Sequence, residues 1–561
     1  MLEPTPPSHQ PAEGDITERR SSLSRRQLLG RVGGAAATYG VAGTIGTVLT
    51  SSASADAIGP KDAIARRRLA RALREESAAR QSLKDLAVQE CNGDESRFAD
   101  LRGQYSKGLP HDPVTGEVDS GAYQALLSAL RSGAFTDFEA IPMGGARKLV
   151  SPLGFLAYDM VGPDSHHLSI PAAPTFDSAW QAGEMVEGYW KALLRDVRFE
   201  DFETDSHVVA ASVELSRLSD FRGPKEAGFV TPRTLLRGFT AGDLIGPYVS
   251  QFLWRDVPYG MTVVKQAYQM IADGDDRITT FDDWLQVQNG NVPGSATNAP
   301  GDTRYITSGR DLAQYVHFDF SFQAYLNAAL ILLPLGGDAL AGNNPYKTSA
   351  TQAAFVNMGG PEILDMVTKA GNCALKAAWY QKWGVHRRLR PEAFSGRVHQ
   401  TMTGVKDYAL HPELLNSKAV TFTFNQSGTY LQSQAYPEGS PTHCSYPAGH
   451  AVVAGACVTI LKAFFDGNYL LPNPVVPTAD GQALVPYAGP PLTLGNELDK
   501  LASNISIGRN IAGVHWRTDG DEGMRLGEQL AIGILEDFRN TRPEIVAPFQ
   551  FRGFDGQNVV I

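Results

Sequence analysis

Beyond its first 55 residues the sequence has no uninterrupted apolar run of the roughly 18 residues that a membrane-crossing helix needs. No membrane span is therefore expected in the rest of the chain. Cysteine is scarce: the four, Cys91, Cys373, Cys444 and Cys457, show no Cys-x-x-Cys spacing. That excludes the common zinc and iron–sulfur signatures, and no disulfide is expected. Positive charge is short too, with 50 lysines and arginines against 60 aspartates and glutamates, a net charge of −10. A nucleic-acid binder needs a basic footprint, so that class is excluded as a partner. No internal repeat is present. What remains is a chain of 561 residues, 43% hydrophobic and 20% charged, an ordinary globular composition. It is long enough for two domains or one large helical domain.

Residues 1–55 stand apart. Ser24-Arg25-Arg26-Gln27-Leu28-Leu29 resembles a twin-arginine export signal, and the uncharged, Gly- and Ala-rich run from Val32 to Thr50 follows it. Ala53-Ser54-Ala55 offers the small residues that a signal peptidase accepts, which predicts export and a mature start at Asp56.

The rest reads as mostly helical. Lys61 to Ala87 is rich in Ala, Arg, Leu and Glu, and Ala122 to Leu130 follows a turn-rich stretch. Val186, Tyr189, Trp190, Leu193, Leu194 and Val197 recur at helical spacing, with Asp177 or Ser178 as cap. The Asn-, Gly-, Pro- and Ser-rich stretch 289–302 is the best internal boundary. It divides an N-terminal helical region, 56–300, from a C-terminal helical bundle, 301–561. Within the latter, Tyr325 to Leu333 and Ala370 to Trp383 are apolar helices. Asp480-Gly481 between Val475-Val476 and Leu484-Val485 predicts a minor β-hairpin. Leu494, Leu498, Leu501 and Ile505 share one face, and Met524 to Phe538 is amphipathic. The fold class is all-α, built of helical bundles.

Three segments of the last third concentrate cations and histidines beyond what folding needs. In Lys382-Trp383-Gly384-Val385-His386-Arg387-Arg388-Leu389-Arg390-Pro391, Arg387 and Arg388 read as a solvated helix end. Lys382, at the end of an apolar run, and Arg390, before a proline, are less easily explained that way. His443-Cys444-Ser445-Tyr446-Pro447-Ala448-Gly449-His450 leads into the apolar run Ala451 to Phe465. A helix starting there aims unpaired N–H groups and the positive end of its dipole outward, which attracts an oxyanion. A histidine in that first turn can exchange protons with whatever binds. In the third segment Arg509 and His515 bracket a loop between two helices, and Asp519 lies one turn beyond His515. A carboxylate at that spacing can hold the imidazole in one tautomer.

Together these segments resemble the three-part signature shared by vanadium haloperoxidases and the type 2 phosphatidic-acid phosphatase superfamily. Further stretches resemble the red-algal type of bromoperoxidase: Lys107-Gly108-Leu109-Pro110-His111, Phe138-Glu139-Ala140-Ile141-Pro142, Gly162-Pro163-Asp164-Ser165-His166 and Val287-Gln288-Asn289-Gly290. The similarity covers nearly all of the chain after the export signal.

The resemblance implies two four-helix bundles, a large homo-oligomer, vanadate as cofactor, and hydrogen peroxide, bromide and small organic acceptors as reactants. It implies that Lys382, Arg390, Arg509 and the N–H of Gly449 bind the oxyanion, that His515 ligates vanadium, and that His450 is the acid–base catalyst. His443 matches a second histidine of bromoperoxidases, where many chloroperoxidases have a phenylalanine; with Lys382 it is implied to be catalytic beside His450, with which it can share a hydrogen bond. Asp519 would support His515. Three cations round one compact anion agree with the cost of burying charge unpaired, and they would make bound peroxide electrophilic toward halide. One position departs from the pattern: Ala448 stands where the family has a serine that bonds the oxyanion, and Ser445 is a candidate substitute. An acid phosphatase would use the same groups, so it stays open as the alternative. So does a non-catalytic oligomeric protein, on the strength of Ala448. His166, His167, His317, His386 and His411 are assigned no role.

Overall fold

The computed structural model describes residues 63–294, 297–544 and 547–561. The twin-arginine segment and the expected start at Asp56 lie outside the described residues. The described residues from Leu73 to Ile561 form one compact unit, and residues 63–72 fall outside it. The boundary expected between 300 and 301 falls within the strand Pro300–Arg304, which pairs antiparallel with Tyr268–Ile271.

The chain is mostly helical. The Ala- and Arg-rich start is helix α1 (Ala63–Leu83), and α2 (Ser120–Ser132) is capped by the Asp119 side chain. Helix α3 (Ala179–Leu193) starts at Ser178, whose hydroxyl accepts the N–H of Gln181, so of the two candidate caps the serine is used. It buries Met185, Val186, Tyr189 and Trp190 at the expected spacing. Helices α4 (Gly309–Phe318) and α5 (Gln323–Leu332) follow, then α6 (Gly360–Trp379). Beyond Trp379 the chain runs on through Tyr380–His386 as a wider-wound π-helical stretch, ended by Arg387 at φ 45°. After α7 (Pro391–Met402) come α8 (Gly449–Phe464), α9 (Leu494–Ile511) and α10 (Arg517–Arg539).

Helix α8 is the centre of the C-terminal bundle. It packs along α6, α9 and α10, and every residue from Ala451 to Phe464 is buried. Small residues permit this closeness. A Cβ on Gly527 of α10 would come within 2.1 Å of the Val452 carbonyl, and one on Gly455 within 2.1 Å of the Met524 carbonyl. The expected hairpin forms, pairing Val475–Pro477 with Leu484–Pro486, and three more two-stranded antiparallel ribbons accompany it. Among the described residues no single helix is long and apolar enough to cross a membrane, although α4 and Gln323–Leu335, bent by 99°, reach that composition jointly. The four cysteines are free thiols.

Candidate active site

The bundle brings the three segments together at the N-terminal end of α8. Lys382 comes from the π-helical stretch, Arg390 from the residue before α7, Arg509 from the last turn of α9, and His515 from the loop between α9 and α10. Gly449 is the first residue of α8 and His450 the second, with Pro447 two residues ahead of the helix rather than in it. Ala448 occupies the cap position and supplies no side-chain acceptor. The first-turn N–H groups therefore have no side chain capping them.

Charge pairing separates this cluster from most of the interior, Arg397, which donates to the Gly116 carbonyl, being another buried cation without an ion pair among the described residues. Buried ions are normally paired, because an uncompensated one costs several kcal/mol. Lys107, Lys191, Arg195, Arg310, Lys462, Lys500 and Arg517 each meet a carboxylate. Lys382, Arg390 and Arg509 are as deeply buried, and among the described residues none of them forms an ion pair. Lys382 Nζ donates to the carbonyls of Cys444 and Ser445, both at 2.7 Å. Arg390 donates to the carbonyls of His443 and Val514 and to His515 Nε2 at 2.9 Å. Arg509 donates to the Val316 carbonyl and to the Tyr436 hydroxyl, and its Nε is buried without a partner. Burial, reinforced by Arg390 and Arg509, pushes the Lys382 ammonium well below the usual lysine range. Burial also lowers Arg390 to about 10. Three mutually repelling cations with carbonyl, imidazole and phenol partners fit a compact, multiply charged oxyanion.

The histidines have distinct settings. His515 is buried, and burial followed by the charges of Arg390, Lys382 and Arg509 holds its pKa well below the usual imidazole value. Its Nδ1 faces Asp519 Oδ2 at 2.8 Å and its Nε2 faces the Arg390 donor. The proton therefore sits on Nδ1 and the lone pair on Nε2, toward Arg390. His450 is less buried, and its Nε2 lies 3.0 Å from Asp319 Oδ1. His443 is pushed to low pKa by burial and by Lys382 and Arg390, with its ring against Trp379 at 4.8 Å.

Three expectations are corrected. The bond from His443 to His450 is not formed: His443 Nδ1 faces Arg390 at 3.0 Å and the Cys444 carbonyl at 3.1 Å. Ser445 does not replace the missing hydroxyl at 448, because its own is given to Asp519 and lies 3.5 Å from His515 Nδ1. Arg388 is no solvated helix end. It is 2% exposed and paired with Glu184 and Asp519, because the π-helical stretch and the turn at Arg387 carry it inward. Arg387 is half-buried against Glu95.

Asp319, Trp379 and Glu184 escaped sequence reasoning. Asp319 offered one faint signal, a carboxylate wedged between Phe318 and Phe320. Trp379 precedes Lys382 by three residues, and a Cβ at Gly449 would lie 3.3 Å from its ring.

Residues 363–541 match a family model described as the VCPO second helical-bundle domain. The vanadium-dependent bromoperoxidase of Ascophyllum nodosum is 36% identical over 483 residues, which is 82% of this chain and 86% of the relative. That of Corallina officinalis is 33% identical over 557 residues, 84% of this chain and 92% of the relative. Among solved structures, the homohexameric second vanadate-dependent bromoperoxidase of Ascophyllum nodosum gives a TM-score of 0.85 at 30% identity, covering 90% of this chain and 92% of that one. Similarity to the Ascophyllum and Corallina proteins is nearly equal, so the likeness lies with the family as a whole. The chain belongs to the vanadium-dependent bromoperoxidase family.

Proposed function

We propose that the protein is a vanadate-dependent bromoperoxidase, which oxidises bromide and iodide with hydrogen peroxide to hypohalous acid that halogenates small organic acceptors. The observation that carries this reading is the convergence of Lys382, Arg390 and Arg509, buried and without a carboxylate partner, around a neutral His515 whose Nε2 faces Arg390. These cations and the Gly449 N–H would hold vanadate, with His515 Nε2 as the ligand to vanadium. Vanadate, when bound, supplies Lewis-acid activation of peroxide without a change of oxidation state.

The protein's own groups do the rest. Asp519 keeps the His515 proton on Nδ1. Asp319 orients His450, whose imidazole stands in the first turn of α8 to give and take protons. His443 packs its ring against Trp379, whose ring in turn lies 5.9 Å from Lys382 Nζ. The relatives are named bromoperoxidases, which favours halide oxidation over the phosphatase alternative.

The test is a halogenation assay with peroxide and bromide before and after vanadate reconstitution, beside a phosphatase assay. Bromination that appears only with vanadate is expected. Phosphatase activity alone would overturn the reading.

The homohexameric structural neighbour supports a homo-oligomer above a dimer here as well, and a monomer in light scattering would refute that. Arg25-Arg26 and the run behind them support export by the twin-arginine route, with Asp56 at the mature N-terminus. Sequencing the N-terminus of exported protein checks it.

A further inference from the structure

We infer that Arg388 and Glu184 are positioning residues that fix the orientation and tautomer of His515 through Asp519. The geometry carries this. The Asp519 carboxylate is fully buried, and its two oxygens are divided. Oδ2 accepts His515 Nδ1, the Ser445 hydroxyl and the Trp516 N–H, while Oδ1 accepts Arg388 Nη1 at 3.0 Å. The grip on Oδ1 sets the rotation of the carboxylate, and that rotation turns Oδ2 toward the imidazole.

Arg388 is itself held from behind. Its Nη2 donates to Gln181 Oε1 at 2.7 Å and Glu184 Oε2 at 2.8 Å, both on α3. Its guanidinium lies 4.9 Å from the ring of Trp516, the neighbour of His515. The other oxygen of Glu184 takes the N–H of Thr518 at 2.7 Å and the Thr518 hydroxyl. Glu184 therefore clamps the first turn of α10 twice, once directly and once through Arg388 and Asp519. A planar fork can bridge two carboxylates in fixed directions, and a lysine cannot. This inference rests on the proposed role of His515 as vanadium ligand, but the tautomer it predicts exists in vanadate-free protein.

The experiment uses the whole chain and the variants Arg388→Met, Arg388→Lys and Glu184→Gln. Two quantities are read: the His515 side-chain nitrogen resonances of vanadate-free protein by NMR, and the equilibrium affinity for vanadate in phosphate-free buffer. The wild type is expected to show the Nδ1–H pattern. Arg388→Met is expected to lose that pattern and to bind vanadate about 10- to 100-fold more weakly, the usual effect of removing a partner behind a metal ligand. Arg388→Lys should recover part of both. Glu184→Gln should shift both in the same direction by less, and it decides the question if Arg388→Met does not fold. Folded variants that keep the wild-type pattern overturn the inference, even where affinity falls, because the effect would then be general electrostatics. A wild type that shows the Nδ1–H pattern but binds no vanadate would sink the functional reading and leave this one standing.

Discussion

His515 and Asp519 face each other across one helical turn, Nδ1 to Oδ2 at 2.8 Å, while Arg390 lies 2.9 Å from Nε2 on the opposite side of the ring. One imidazole is thus set between an obligate acceptor and an obligate donor, and only one neutral tautomer satisfies both. Asp519→Asn offers an amide that can turn its NH2 to the ring and reverse that choice. Vanadate affinity should fall about 10- to 100-fold, measured by titration of vanadate-free protein. An unchanged dissociation constant would mean that the carboxylate does not govern the ring.

Ala448→Ser should strengthen the site. Ala448 is the cap of α8 and gives its first-turn N–H groups no acceptor. A serine hydroxyl there can accept a first-turn N–H and donate to the oxyanion. A hydrogen bond to a charged group contributes ~1.5–3 kcal/mol, and ~1.4 kcal/mol is tenfold in affinity. Vanadate binding should tighten about tenfold to a hundredfold, with higher bromoperoxidase activity. The new cap adds ~1 kcal/mol of stability, read in a melting curve. Tighter melting without tighter binding would show the hydroxyl turned wholly to the helix.

The wild type should oxidise bromide and iodide readily and chloride poorly, and His443→Phe should narrow that gap. Arg390 Nη2 is 3.0 Å from His443 Nδ1. A phenylalanine removes this acceptor and leaves the guanidinium to pull harder on the bound oxyanion, as oxidising chloride requires. The chloride-to-bromide rate ratio should rise about tenfold, equivalent to ~1.4 kcal/mol in relative barrier. Steady-state rates at equal halide concentration test it, and a ratio that stays put or falls refutes it.

Away from the site, Asp243 predicts a pH dependence of stability. It is buried, accepts hydrogen bonds from Thr240 and Ser503, and burial raises its pKa to about 6 from 3.8. Between those values the folded protein keeps a proton that the unfolded chain has released, so the group's contribution to stability falls as pH rises and levels off above about 6. Asp243→Asn keeps an acceptor oxygen and lacks the fall. Relative to wild type, its stability should improve by about 2 kcal/mol between pH ~4 and pH ~7. Denaturation curves at the two pH values that differ equally for both proteins would exclude this.

The sequence was most legible where one physical signal dominates. Helical periodicity gave α3 and α9 their buried faces, and Asp480-Gly481 gave the hairpin. Lys382, Arg390, Gly449, His450, Arg509 and His515 are what the resemblance of the three segments implies, and the fold brings those segments to one end of α8. Arg388 was misread because a run of cations near a helix end is usually solvated, and nothing local announces a counter-ion 204 residues away in α3. Asp319 was hidden for the same reason, since its partner His450 is 131 residues further on. Long-range pairing of charge has no local pattern.

The π-helical stretch from Tyr380 to His386 has a consequence for how this protein can vary. An α-helix turns about 100° per residue, and a looser stretch stores an extra residue in the winding. Removing one residue there would let the segment tighten to ordinary helix and would swing everything after it round the axis. Arg387 would leave Glu95, Arg388 would leave Asp519, and Arg390 would leave the other two cations together. A substitution in this stretch disturbs the contacts of one side chain, whereas a single deletion displaces several side chains at once, so length is the property of this segment that the protein can least afford to change.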